Sequence, residues 1–460
     1  MSVCRVLVSV SLAALAAAAD APAPGEAREF TPGKGMGLGQ GRTVVIRGKL
    51  DLDVVNQGGY TAGNREVSDH NGGGIGRAEL GAKIKPDETS AVVVGVAWQG
   101  DLGQTPDNGT NKGYAVVNEA YADLRDVLGF ESFGIKGGRM PVTWNLRPGH
   151  GAWLLDSTAN HPTITSWDGG QMSFTGLEDF QINPLVYAMP DAGTLFGAEA
   201  NWEPAFAGSN RVFITGMATW ENKTPREQVD PLTSGDSILR YTKLRPFDDV
   251  NTYSLGVTAT LGQFELFAEG ATQRGKQDDW VDLGGRAMYA GVEWKIASPR
   301  ITLGAQVVHQ SGQDDYSAYN TNNGAFIAPW EGTRDLYIME DEKYGELTRT
   351  LQGTQAYGQR ALKLNAGWVL DERNRFALDG AYGFYRTAVT VTNLPRGVTA
   401  TQDFGQEFDL TFSYNYNFNT TLRLLGGIFL PKEGYTATAP NAFAGDDYLY
   451  LMAGNVRVTF

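Results

Sequence analysis

From Arg42 onward apolar and polar residues alternate, so successive side chains fall on opposite faces of an extended chain. In 42–55, Val44, Ile46, Leu50, Leu52 and Val54 share one face, and Arg47, Lys49, Asp51 and Asp53 share the other. Segment 74–85 sets Ala78, Leu80, Ala82 and Ile84 against Arg77, Glu79, Lys83 and Lys85. The longest case is 406–418, where Phe408, Leu410, Phe412, Tyr414, Tyr416 and Phe418 oppose Glu407, Asp409, Thr411, Ser413, Asn415 and Asn417. This pattern predicts about eighteen strands, and most have more than the roughly 9–11 residues that a tilted bilayer crossing needs.

A soluble sandwich alternates too, but its apolar face fills an aliphatic core. Here that face often begins or ends in an aromatic residue, as at Trp98, Trp202, Trp294, Trp368, Tyr253 and Tyr450. Aromatic girdles of that kind flank the lipid band of a membrane barrel. Connection lengths sort in the same way. Tight turns at Pro86–Glu88, Gly176, Gly262, Asp371–Asn374 and Asn419 alternate with long segments such as 57–72, 141–165, 221–248 and 312–355. One short connection, near 189–192, falls among the long ones. Short periplasmic turns and long outer loops are the habit of an up-and-down antiparallel β-barrel in a bacterial outer membrane. The fold class predicted is therefore all-β, with the barrel over 42–460. The third long connection carries Trp144, Arg147, His150, Trp153, Leu154 and Leu155. That is too apolar for a loop in water, so we expect it to fold inward against the small face of Ala91, Gly95 and Ala97.

The first 19 residues, MSVCRVLVSVSLAALAAAA, read as a cleaved signal peptide, with basic Arg5, an apolar stretch and Ala17–Ala18–Ala19 before Asp20. Residues 20–41 are rich in Pro and Gly and read as a flexible periplasmic leader. The chain has 38 basic and 52 acidic residues for a formal charge of −14, and loss of Arg5 with the signal makes it −15. Nucleic acid is a poor partner for such a charge. The single cysteine, Cys4, lies inside the signal, so the exported chain has no thiol to mispair in an oxidising compartment.

Glu119–Ala120–Tyr121–Ala122–Asp123–Leu124, followed by Ile135–Lys136–Gly137–Gly138–Arg139 and Trp144, resembles the alginate-export family of outer-membrane barrels. Members typically show an "EAY" strand followed by a "K-x-G-R" strand that runs into an inner loop. The match covers about residues 115–170, with Met140 where the family commonly has glutamine. The resemblance implies an eighteen-stranded monomeric barrel and uronate-type saccharides as solutes. The ending Val456–Arg457–Val458–Thr459–Phe460 resembles the C-terminal signal read by the barrel assembly machinery, a partner during biogenesis. Outer-membrane lipid and lipopolysaccharide are the expected surroundings of such a protein.

Strand parity points Arg47, Lys49, Arg77, Lys83, Lys85, Arg125 and Lys136 into the lumen, with Arg139 and Arg147 nearby and Asp51, Asp53, Glu79, Glu119 and Asp123 interleaved. Gly137–Gly138 could form a bulge that re-aims Arg139 towards the lumen. Lys136, Arg139 and Arg147 would then converge at a constriction. Later strands contribute acids: Glu199, Glu265, Glu269, Glu293, Asp379, Glu407 and Asp409. A basic strip facing an acidic wall steers anions, although charges that merely neutralise one another would give the same residues. The four histidines, His70, His150, His161 and His309, adjoin no strand-borne serine in a catalytic pattern and lack HExxH spacing, so neither enzyme, metal site nor cofactor is expected. Three functions remain: a diffusion channel for small or oligomeric anionic solutes, a general or cation-preferring porin, and a surface adhesin or structural barrel.

Overall fold

The computed structural model describes residues 36–39, 42–58, 71–101, 114–141, 166–188, 194–204, 210–222, 249–278, 281–313, 322–326, 336–338, 358–391, 401–434 and 448–459. The proposed signal, most of the leader and residues 142–165 of the third connection lie outside them.

Eighteen strands form one closed antiparallel barrel. They are β1 Arg42–Gly58, β2 Asn71–Lys85, β3 Ser90–Asp101, β4 Tyr114–Leu124, β5 Phe133–Met140, β6 Trp167–Leu177, β7 Phe180–Ala188, β8 Thr194–Trp202 and β9 Arg211–Asn222. The second half comprises β10 Asp249–Leu261, β11 Phe264–Asp278, β12 Arg286–Ile296, β13 Ile301–Gln310, β14 Gln359–Val369, β15 Phe376–Val391, β16 Thr401–Asn415, β17 Thr420–Pro431 and β18 Leu449–Thr459. Each strand pairs with its sequence neighbours, and β18 closes on β1 from Lys49↔Thr459 to Gly58↔Tyr450. Closure pairs the strand edges with one another, and an unpaired backbone group in hydrocarbon costs several kcal/mol.

Parity holds around the wall. The exposed apolar side chains Val54, Leu80, Leu255, Leu410, Leu424 and Met452 all point outward. Aromatic pairs bound the band, including Phe264 on Trp294 at 5.8 Å and Phe196 on Trp220 at 5.3 Å between ring centroids.

The turns are built by their own side chains. Asp87 accepts from the Thr89 and Ser90 amides at 2.9 and 2.7 Å and from both hydroxyls. These bonds, led by that of the Ser90 hydroxyl, hold its carboxyl below the usual range. Arg300 clasps the neighbouring turn, donating to Asn374 Oδ1 at 2.6 Å and to the Glu372 carbonyl at 3.1 Å.

Two departures from the sequence pattern stand out. Met36–Gly39, expected within a flexible leader, is a short strand antiparallel to Thr43–Val44. It covers the start of the β1 edge, part of the stretch that β18 does not reach, because β18 ends opposite Lys49. An open edge invites a partner. The second departure is inside the barrel. Residues Leu336–Ile338, from the connection between β13 and β14, lie in the lumen against β15, β16 and β17. An observed infold therefore belongs to this connection.

Because the turns at 86–89, 178–179, 262–263, 297–300, 370–375 and 416–419 share one end of the barrel, a tag inserted near residue 235, between β9 and β10, will be labelled on intact cells, and one at 372–373 will not. Equal labelling of both would overturn that orientation.

Candidate pore lining

The lumen has two unlike walls. On the first, β1 and β2 place Arg47, Lys49, Arg77, Lys83 and Lys85 inward. Two glycines make room for them. A Cβ on Gly81 would sit 3.3 Å from Arg47 Nε, and one on Gly95 would sit 2.9 Å from Glu119 Oε2. The small inward face read from the sequence thus seats the Arg47–Glu119 ion pair. Glu119 reaches this position through a bulge in β4, where Asn118 is the extra residue between Val117 and Glu119.

Around this pair lies a cavity of about 220 Å³ lined by Arg47, Lys49, Arg77, Glu79, Glu119 and Pro141. Arg77 Nε meets Glu79 at 2.6 Å, and Lys49 Nζ lies 3.9 Å from Asp51. At the β1–β18 seam Asp51 accepts from Arg457 at 2.7 Å, and Asn455 donates to Asp53 at 2.8 Å. Towards the short-turn end, Lys83 lies within electrostatic reach of Lys85, Arg125 and Lys136, with Asp123 as the one acid of the group. Lys136 stands directly across the ladder from Asp123.

Arg139 does not join them. β5 pairs with β4 and β6 with no register shift, so no bulge forms at Gly137–Gly138. Gly138 absorbs the local twist instead, at φ 130°, where a Cβ would lie 2.7 Å from the Tyr121 Cα. Arg139 keeps outward parity opposite Ala120 and makes a two-point ion pair with Asp168, at 2.8 and 2.6 Å. The convergence expected of Lys136, Arg139 and Arg147 is therefore incomplete: Lys136 faces in, Arg139 faces out, and Arg147 lies outside the described residues.

The second wall carries the acids, and most of them are buried. Glu199 accepts from Asn183 at 3.0 Å, and Glu269 accepts from the Ser254 hydroxyl at 2.6 Å. Lys295 bridges Glu265 at 2.7 Å and Glu293 at 3.8 Å. Glu407 accepts from the Ile338 amide at 2.6 Å and Asp409 from the Tyr337 amide at 2.8 Å. The Tyr337 hydroxyl also bonds to Thr411. Gly383 and Gly427 admit this segment, since a Cβ on them would lie 2.9 Å from Leu336 Cδ1 and 3.3 Å from Ile338 Cδ1. Asp379, by contrast, remains exposed. The acidic wall is thus largely spent on internal hydrogen bonds, while Arg47 keeps 49% of its side chain open to the lumen. Sequence reasoning missed Leu336–Tyr337–Ile338. Its one signal was an apolar trio within a long polar connection.

Comparison with solved structures fits this geometry. The chain matches Pseudomonas aeruginosa OccK9 (OpdG) at a TM-score of 0.55 and 12% identity, over 91% of this chain and 98% of that one. The chain has the porin fold. A BenF-like porin from Pseudomonas fluorescens Pf-5 matches at 0.53 and 12%, with coverage of 91% and 98%. Pseudomonas aeruginosa OccK2 (OpdF), solved in complex with glucuronate, matches at 0.53 and 13%, again over 91% and 98%. No family model matches the chain. No curated protein matches it either.

Proposed function

We propose that the chain is an outer-membrane channel through which small anionic solutes, of the uronate-saccharide kind, diffuse along its basic wall. The observation that carries this reading is the asymmetry of the lumen. Cations from Arg47 to Lys136 line the water-facing side, while the acids opposite are mostly buried in hydrogen bonds. A carboxylate entering such a passage meets fixed positive charge at reduced effective dielectric, where charge acts more strongly than on a wide rim. The glucuronate bound by OccK2 and the resemblance of residues 115–170 to alginate-export barrels point to the same solute chemistry. The net charge of −14 and the exposed Asp379 favour the second reading, a general or cation-preferring porin.

The deciding measurement is the reversal potential under a salt gradient. In 0.01 M salt, where the Debye length is about 30 Å, Arg47→Ser with Lys83→Ser and Lys136→Ser will shift selectivity towards cations. In 1 M salt, where that length is about 3 Å, the shift will shrink. A triple variant that keeps the parent's selectivity in 0.01 M salt would refute the basic-wall reading.

A further inference from the structure

The outer surface carries a second pattern that the channel reading does not use. At the long-connection end of β11 to β15 the outward positions include four arginines and a histidine. Arg274 on β11, Arg286 on β12, His309 on β13, Arg360 on β14 and Arg386 on β15 all have the parity of the lipid-facing residues. His309 pairs with Arg360 and Arg360 with Arg386, while Arg286, two residues from the Met288 that faces His309, and Arg274, two residues from the Thr272 that faces Arg286, continue the strip diagonally. It ends at β16, where Asp403 pairs with Arg386 at 2.9 Å. None of the described carboxylates lies within ion-pair distance of Arg274, Arg286 or Arg360.

Elsewhere on the same rim charge is compensated. Arg139 has its two-point partner in Asp168, and Lys276 lies across from Asp249 and Asp282. A run of like charges facing neighbouring strands is unfavourable without a counter-charge. Lipid tails cannot supply one, but the layer just beyond them can. Long cationic side chains at this depth extend to the headgroups, and each gains free energy from anionic lipid there.

We propose that the outward strip Arg274–Arg286–His309–Arg360–Arg386 is a docking surface for phosphate-bearing lipid headgroups of the outer leaflet, of the lipid A type. The strip covers one side of the barrel, so bound lipid is ordered against β11–β15 and not around the whole circumference. Guanidinium groups suit this role because their planar donor forks match phosphate oxygens two at a time.

The test uses the full barrel refolded in detergent, with folding checked by heat-modifiable gel mobility and bound lipid counted by native mass spectrometry. Diphosphorylated lipid A will bind the parent. Arg274→Ser with Arg286→Ser and Arg360→Ser will weaken that binding at least ~10-fold. Arg139→Ser will leave it within about twofold, because that cation is already paired. Fully dephosphorylated lipid A will bind parent and triple variant alike. Equal affinity of parent and triple variant for the diphosphorylated form would overturn the proposal. So would inorganic phosphate binding as tightly as lipid A, which would make the strip a general anion site. The readout depends on neither conductance nor selectivity, so its failure is separable from failure of the channel reading.

Discussion

Leu255→Arg will sharply reduce the fraction of chain that assembles in lipid vesicles. Leu255 is the central residue of β10, faces outward, and is 65% exposed between Gly216 and Gly270 on the flanking strands. An arginine there lies near the middle of the hydrocarbon, where the cost is about 2–4 kcal/mol. That corresponds to roughly 30- to 1,000-fold in the folding equilibrium. A charge on the inward face behaves differently. Ser413→Glu on β16 stands opposite Arg423 in register and will leave assembly unchanged. Heat-modifiable gel mobility after refolding separates the two, and equal loss in both would contradict the parity of the wall. Thr411 is an unsuitable inward control despite its parity, because its hydroxyl meets Tyr337 and its side chain is buried.

Glu407→Ala combined with Asp409→Ala will release residues 336–338 from the lumen and raise single-channel conductance. These carboxylates accept the amides of Ile338 and Tyr337, the polar anchors of a segment whose Leu336 and Ile338 are otherwise held by apolar contact. Hydrogen bonds to charged groups contribute about 1.5–3 kcal/mol each, so losing two removes about 3–6 kcal/mol. The amide pair Glu407→Gln and Asp409→Asn keeps acceptors without charge and will fall between parent and alanine pair. Parent-like conductance in the alanine pair would mean that the segment does not limit the passage.

The period-two pattern made the barrel legible because one buried and one lipid-facing surface leave every strand the same signature. The eighteen strands and their alternate turn lengths follow from it. Side-chain direction was equally legible wherever the ladder is regular, as for Arg47, Lys49, Arg77 and Lys136. It failed at Arg139, where two glycines suggested a bulge. Bulges depend on how both neighbouring strands align, and no local residue pair encodes that. The bulge that does form in the neighbouring strand β4, at Asn118, carries no glycine of its own. The inward segment was missed for a related reason. Which loop enters a lumen depends on contacts between residues some 70 positions apart, such as Ile338 and Glu407, and periodicity is blind to them. The outward cations lay in plain sight at strand ends, but they form a strip only once register sets them side by side.

The seam between β1 and β18 has a kinetic consequence. Asn455 bonds to Asp51 and Asp53 across more than 400 positions, so the ring is completed by its most distant partners in sequence. Until then β1 and β18 both present raw edges, and a sheet in that state adds strands from any chain nearby. Pairings so remote form slowly because the chain entropy of closure is lost before their contacts form. The polar latch at the seam, Asp51 with Asn455 and Arg457, sits on the water side of the wall. A misaligned seam there can hydrate, break and realign, whereas an apolar latch would hold its first register.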